Sequence, residues 1–133
     1  MADRIAPEHL KGAKWRFKTI NVWRPIAPVE RNPLALVDGS TVAQDDLFLC
    51  RLNAARSGLP DSFGWNLAYS PAQRWYYAPG MTADEVLLIK GWDSLDDGRA
   101  RFTPHGAFDL PDTPSDAAPR ESIEVRTLVV IGG

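Results

Sequence analysis

Residues 122–131, Ser-Ile-Glu-Val-Arg-Thr-Leu-Val-Val-Ile, carry the clearest structural pattern in the chain. Their side chains alternate between two faces: Ile123, Val125, Thr127 and Val129 fall on one, and Glu124, Arg126 and Leu128 on the other. A period of two over this length is typical of a β-strand. The sequence therefore predicts a strand over the whole of this stretch.

Several shorter stretches also have the composition of strands. Residues 15–24 alternate apolar and polar side chains with a change of phase near the middle, which predicts a strand that contains a bulge and ends at Pro25. Further strands are predicted at residues 33–37, 66–69, 74–78 and 86–93, while residues 45–52 fit either a strand or a short helix. Residues 6–12 predict a short N-terminal helix that ends at Gly12.

These short strands are joined by long polar connections, and the chain contains eleven prolines, which interrupt helices. The pattern predicts a mostly β protein built as a sandwich, barrel or jelly roll. A length of 133 residues predicts a single domain over residues 1–133. Such a domain buries roughly two-thirds of the surface of its unfolded chain.

The charge and the cysteine content exclude several classes of protein. With a formal net charge of −2, the chain has no basic excess to neutralise a phosphate backbone, so we expect no nucleic-acid partner. Its one cysteine, Cys50, forms no intramolecular disulfide and lies in an apolar stretch, which favours a buried small side chain over a nucleophile. No signal peptide is visible and the apolar runs are short, so we expect a cytoplasmic protein without a membrane partner.

Two histidines are candidates for chemistry, and their surroundings differ. His9 falls in the predicted N-terminal helix, where an exposed role is favoured over a ligand role. His105 stands between Pro104 and Gly106, which restrict the backbone and permit the close approach of another group. From composition alone, a structural role for His105 is still favoured.

Arg120 and Ser122 form an Arg-x-Ser pair at the predicted start of the last strand. A guanidinium and a hydroxyl in this spacing can bind one carboxylate together. Such pairs are common and most are simply solvated, so the interest of this one comes from its position downstream of His105.

Six strings stand in an order that is found in one protein family. They are NVWRP at 21–25, PLAL at 33–36, RWYY at 74–77, MTADEVLLIK at 81–90, RFTPH at 101–105 and PRESIEVR at 119–126. On these strings, within a span of about residues 15–131, the chain resembles the cephem-7α-methoxylase-like family. That family includes fungal hydroxylase/desaturases and gibberellin-desaturase-like enzymes.

The resemblance implies a partial double-stranded β-helix, a cupin-like jelly roll, with Fe(II) and 2-oxoglutarate as cofactors. Enzymes of this kind hold iron with a His-x-Asp pair and a distal histidine, which leaves positions open for 2-oxoglutarate and oxygen. His105 matches the distal histidine, and Arg120 and Ser122 match the residues that bind the distant carboxylate of 2-oxoglutarate. Weaker candidates for that role are Arg24 and Arg126, and the residues expected to line a substrate pocket are Trp23, Trp75, Tyr76 and Tyr77.

The chain departs from this pattern because it contains no His-x-Asp pair. One imidazole does not bind Fe(II) usefully, since affinity and geometry need several ligands. Three explanations stay open: a start upstream of Met1, a truncated gene, or a degenerate member that binds without catalysing; an incomplete chain is favoured. A jelly roll without its first strands exposes a sheet edge and part of its core, so we expect a marginal fold or dimerisation through that edge.

Three functions follow as hypotheses. The first is an oxidoreductase of secondary metabolism that hydroxylates or desaturates a small substrate, inactive if its metal site is incomplete. The second is a non-catalytic small-molecule-binding or accessory protein of a two-component modification system. The third, a hydrolase with Ser122, His105 and Asp109, is disfavoured because no G-x-S-x-G elbow surrounds a serine.

Overall fold

The computed structural model of the chain describes residues 15–52 and 62–132. The helix predicted over residues 6–12, with His9, and the loop predicted over residues 53–61 lie outside this range. The described part is mostly β, as the sequence predicts. Its eight strands are β1 (Arg16–Pro25), β2 (Leu34–Val37), β3 (Leu47–Leu52), β4 (Ser62–Leu67), β5 (Trp75–Tyr77), β6 (Leu87–Asp93), β7 (His105–Ala107) and β8 (Ser122–Ile131).

Most strand predictions are confirmed, with shifts of a few residues at the ends. The last strand is found over the predicted residues. The ambiguous residues 45–52 contain both alternatives in part, because a 3-10 turn at Gln44–Asp46 leads directly into β3. The strand predicted at residues 66–69 is the end of β4, which begins earlier and stops at Leu67.

The first sheet has the order β6-β1-β8, so β1 lies in the middle and is antiparallel to both neighbours. Its pairing with β8 runs without interruption from Arg16↔Ile131 to Pro25↔Ser122. Its pairing with β6 shifts register between Thr19 and Ile20. The predicted bulge therefore exists, but the extra residue is Gly91 of β6 and not a residue of β1.

The second sheet has the order β5-β2-β7, and β3 and β4 form a separate hairpin. In the second sheet Leu36 lies between Tyr76 on one side and His105 on the other. Ala35 lies between Tyr77 and Gly106 in the same way. Directly opposed residues share a face, so His105, Leu36 and Tyr76 project to one side of this sheet.

The core lies between the two sheets. Trp23 and Ile89 from the first sheet pack with Leu34 from the second, and Val29 and Met81 close the cluster from the connections. These five side chains are at most 7% exposed. The inner face of the first sheet is therefore the face of Trp23, and the inner face of the second sheet is that of Leu34.

Candidate active site between the sheets

The inner faces of the two sheets carry two of the predicted site residues, His105 and Ser122. Leu36 packs against the core, so its cross-strand neighbour His105 lies on the inner face of the second sheet. Ser122 lies opposite Pro25, two residues from Trp23, on the inner face of the first sheet. The fold thus turns a histidine of the second sheet and an Arg-x-Ser pair at the start of β8 in the first sheet toward one interior.

His105 begins β7, and its ring is oriented by the backbone just before it. Its Nδ1 lies 2.9 Å from the carbonyl oxygen of Thr103. A carbonyl only accepts, so Nδ1 carries the proton and donates to it. In the neutral imidazole this arrangement leaves the lone pair on Nε2, and the side chain is exposed. This is the tautomer and the type of backbone bond that metal-binding imidazoles commonly have.

Arg120 is half-buried and packs over Trp23, with its Cζ 5.7 Å from the centre of the ring. Its Nη1 donates to the backbone oxygen of Asn32 at 3.1 Å. Its Nε is buried and has no hydrogen-bond partner in the described part of the chain. A buried charged donor without an acceptor is costly, so this nitrogen fits an anionic group that the described residues do not supply.

Asn32 is a positioning residue that the sequence analysis missed. Its φ of 50° places it in the left-handed region, which asparagine tolerates better than most residues. Its side-chain nitrogen donates to Asp109 Oδ1 at 2.7 Å, while its carbonyl receives Arg120. The only sequence signal was an asparagine before Pro33, which marks a turn but not its distant partner.

The other two predicted arginines lie in different places. Arg126 is on the inner face, but its Nε donates to Asn21 Oδ1 at 3.1 Å. Arg24 alternates with Trp23 along β1 and therefore projects from the outer face. Arg120 and Ser122 lie on the inner side of the first sheet, and Arg24 lies on its outer side.

The four predicted pocket aromatics are also divided by the fold. Trp23 is 4% exposed and belongs to the core beneath Arg120. The aromatic residues of β5 line a cleft of about 490 Å³, together with Ala35, Gly106, Ala107 and Phe108. Strand alternation puts Trp75 and Tyr77 on the outer face of the second sheet, and Tyr76 on the face of His105. Only Tyr76 of the β5 aromatics therefore shares the inner face with the histidine.

The described residues do not hold a complete iron site. Within residues 15–52 and 62–132, no three His, Cys, Asp or Glu side chains lie close enough to bind one metal ion. His105 alone does not fit Fe(II), which needs several ligands. Arg120, by contrast, fits the carboxylate of 2-oxoglutarate, because its fork has a buried donor with no other acceptor among the described residues.

No hydrolase triad is assembled. His105 Nδ1 bonds the Thr103 carbonyl and Asp109 Oδ1 accepts from Asn32, so the Asp–His hydrogen bond that a triad requires is not formed. Cys50 is half-buried, and its sulfur accepts a hydrogen bond from Asn66 at 3.2 Å. The expectation of a buried thiol was therefore wrong, because β3 and β4 form a separate hairpin.

Solved structures identify the class of fold. A structure of the iron and alpha-ketoglutarate-dependent endoperoxidase NvfI matches with a TM-score of 0.78 and 38% identity, over 98% of this chain and 48% of that one. A second NvfI structure matches with a TM-score of 0.77 at the same identity. The predicted jelly roll of iron and 2-oxoglutarate oxygenases is confirmed by this similarity.

A family model described as an oxidoreductase/YMDC permease-like domain matches residues 1–130, and the chain belongs to this family. The hydroxylase/desaturase asaB of Aspergillus flavus is 42% identical over 138 residues, which cover 94% of this chain and 59% of asaB. The Fe(II)/2-oxoglutarate-dependent dioxygenase nvfI of Aspergillus novofumigatus is 43% identical over 119 residues, which cover 88% of this chain and 42% of nvfI. The chain spans about half the length of these relatives.

No helix in its described ranges is long and apolar enough to cross a membrane.

Proposed function

We propose that this chain supplies the 2-oxoglutarate-binding part of an Fe(II)/2-oxoglutarate-dependent hydroxylase or desaturase that acts on a small secondary-metabolite-like substrate. The observation that carries the proposal is Arg120, whose buried Nε lacks an acceptor in the described part of the chain while its Nη1 is held by Asn32. Relatives named as dioxygenases and hydroxylase/desaturases support it. Fe(II) would supply the oxygen-activating chemistry and 2-oxoglutarate two electrons for it, and His105 is the described residue that would contribute to holding the metal.

Each proposed residue has a separate role. Arg120 binds the distant carboxylate of 2-oxoglutarate, with Trp23 and Asn32 fixing the plane of its guanidinium. Ser122 adds a hydroxyl from the same face. His105 offers Nε2 as one metal ligand, oriented by Thr103. Tyr76 is the β5 aromatic placed to contact a substrate in the interior, because it shares the face of His105.

The test is 2-oxoglutarate binding to the whole chain without iron, measured by calorimetry. The Arg120→Met variant should lose binding by about tenfold or more, because a charge-assisted bond to a carboxylate is worth about 1.5–3 kcal/mol. The Arg24→Met variant removes the same charge from the outer face and should bind like the unaltered chain. The Arg126→Met variant tests the arginine that is already bonded to Asn21.

Two results would contradict this assignment. Equal binding by the Arg120 and Arg24 variants would mean that no specific carboxylate site exists at Arg120. A loss of 2-oxoglutarate binding in the Arg126 variant alone would mean that Arg126, and not Arg120, binds the carboxylate. Circular dichroism of each variant separates lost binding from lost folding.

A second candidate function is a non-catalytic binding or accessory protein. One observation favours it: His105 is the single histidine among the described residues, and no group of three metal-binding side chains is found there. An anaerobic Fe(II) titration in the presence of 2-oxoglutarate distinguishes the two functions. A visible charge-transfer band that is absent in the His105→Ala variant supports the oxygenase, whereas 2-oxoglutarate binding without any band supports the accessory protein.

The proposal also covers the family placement, the partner, the location in the cell and the extent of the domain. The six ordered strings support placement near the cephem-7α-methoxylase-like enzymes, and with it an accessory protein or a second copy as partner. One cysteine, which allows no intramolecular disulfide, supports a cytoplasmic location. The single domain over residues 1–133, as the C-terminal portion of an oxygenase-like jelly roll, remains a prediction.

A further inference from the structure

β8 is a long strand with one open edge. Within residues 15–52 and 62–132 it pairs only with β1, and it stands at the end of the sheet order β6-β1-β8. Eight of its ten residues are exposed, and apolar side chains are exposed on both of its faces, among them Ile123 and Leu128. A long, apolar, unpaired edge is a template for another strand.

The backbone groups that point out of this edge follow from the register. Ile26 N donates to Glu121 O at 3.1 Å, one step beyond the Pro25↔Ser122 pair. Hydrogen-bonded pairs alternate along an antiparallel ladder, and proline has no N–H to donate. The even-numbered residues of β8, including Glu124 and Arg126, therefore direct their N–H and C=O groups away from β1.

Charge selects one register for pairing this edge with itself. If Val125 lies on a two-fold axis opposite Val125 of a second copy, Glu124 of each copy lies opposite Arg126 of the other. Both residues have outward backbone groups, so they form hydrogen-bonded pairs that also join opposite charges. A shift by one pair in either direction sets Glu124 against Glu124, or Arg126 against Arg126, and like charges directly opposite are destabilising.

We propose that two copies of this chain associate through the free edges of β8, antiparallel and centred on Val125, to form one six-stranded sheet. The interface does not depend on the chemistry proposed above. Arg126 keeps its Nη groups for the partner while its Nε remains on Asn21. Edge pairing buries little area, so the dimer dissociates on dilution.

Cysteine crosslinking tests the register. In a Cys50→Ser background, Val125→Cys places two thiols across the axis in a non-hydrogen-bonded pair, whose Cα separation of about 4.5 Å lies within disulfide range. The matched control Ile123→Cys lies opposite Thr127 of the second copy, so its two thiols are about 13 Å apart. A crosslinked dimer is expected for the first variant and a monomer for the second. Crosslinking of both to the same extent, or of neither, would overturn the register.

Charge reversal tests the interface by an independent measurement. Light scattering over a dilution series should show dissociation that is about tenfold easier for Glu124→Arg, since two opposite-charge pairs become like-charge pairs. The double variant Glu124→Arg with Arg126→Glu restores the pairs and should recover the dimer. A chain that is monomeric at every concentration would overturn the second-copy proposal and leave the edge to a different polypeptide. A dimer whose dissociation is unchanged by Glu124→Arg would place the interface elsewhere.

Discussion

β1 has a neighbouring strand on each side, but the two sides differ in how their side chains are covered. On the β6 side, Ile89 is completely buried, in the core with Trp23. On the β8 side, Leu128 projects from the same inner face, opposite Thr19, but is 46% exposed. Ile123 projects from the outer face, opposite Arg24, and is 54% exposed although it is as apolar as Ile89. The comparison shows that the burial of a side chain in this sheet depends on what lies over the strand and not on the residue type.

The largest expected effect comes from truncating the same residue type on each side of β1. Ile89→Ala should reduce the free energy of unfolding by about 2–5 kcal/mol, because it leaves a cavity in the core. Ile123→Ala should cost only about 0.5 kcal/mol, since the methyl groups it removes are largely solvated. Urea unfolding of both variants at one low protein concentration measures the difference.

Equal losses of unfolding free energy in Ile89→Ala and Ile123→Ala would contradict the difference in burial between the two residues. They would mean that Ile123 is covered in solution, by a second copy or by another part of the protein. Repeating the Ile123→Ala measurement at high concentration sharpens this outcome, because cover by a second copy makes the loss depend on concentration.

A smaller effect is expected at the bulge, which only the β6 side possesses. A Cβ at Gly91 would lie 2.7 Å from Thr19 Oγ1, closer than such atoms approach. Gly91→Ala should therefore destabilise the protein by about 1–3 kcal/mol. Adding Thr19→Ala removes the hydroxyl and should restore much of the loss. If the second change brings no recovery, the clash is not the cause, and backbone freedom at Gly91 becomes the explanation.

The bulge also shows how far the sequence alone reaches. A change of hydrophobic phase near Thr19 correctly predicted an irregularity, but local pattern did not reveal which strand carried the extra residue. In the same way, the alternation along β8 was predicted residue by residue, whereas its exposure was not. Alternation is a local property of the chain, and cover depends on elements that are distant in sequence.

In the candidate site, too, some residues could be predicted from the sequence and others could not. His105 and Arg120 were selected from a family pattern, and both lie on inner faces. The partner of Arg120, Asn32, is 88 residues away, so no local signal could connect them. Trp75 and Tyr77 were grouped with Tyr76 by aromatic density, but adjacent residues in a strand project to opposite faces.

The last expected effect concerns pH and again belongs to the β6 side. Asp93 is 2% exposed and receives hydrogen bonds from Arg16 Nε and Nη2 at 2.8 and 2.6 Å, with Lys18 and Lys90 each 3.9 Å away. The hydrogen bond from Arg16 holds the pKa of Asp93 far below its ordinary value, although desolvation acts in the opposite direction. The ionised carboxylate thus ties β6 to β1.

A carboxyl group with a lowered pKa stabilises the fold above its ordinary pKa of about 3.9, and this contribution disappears as the pH falls toward its folded pKa. The urea midpoint should therefore fall on acidification below about pH 4. Asp93→Asn should be less stable at pH 7 and should lose less on acidification, because the linked proton is gone. Asp116→Asn removes the same charge at an exposed position and should keep the original acid dependence. If both variants respond to acid like the unaltered chain, the ion cluster does not stabilise the pairing of β6 with β1. The stability of that pairing then comes from apolar packing alone.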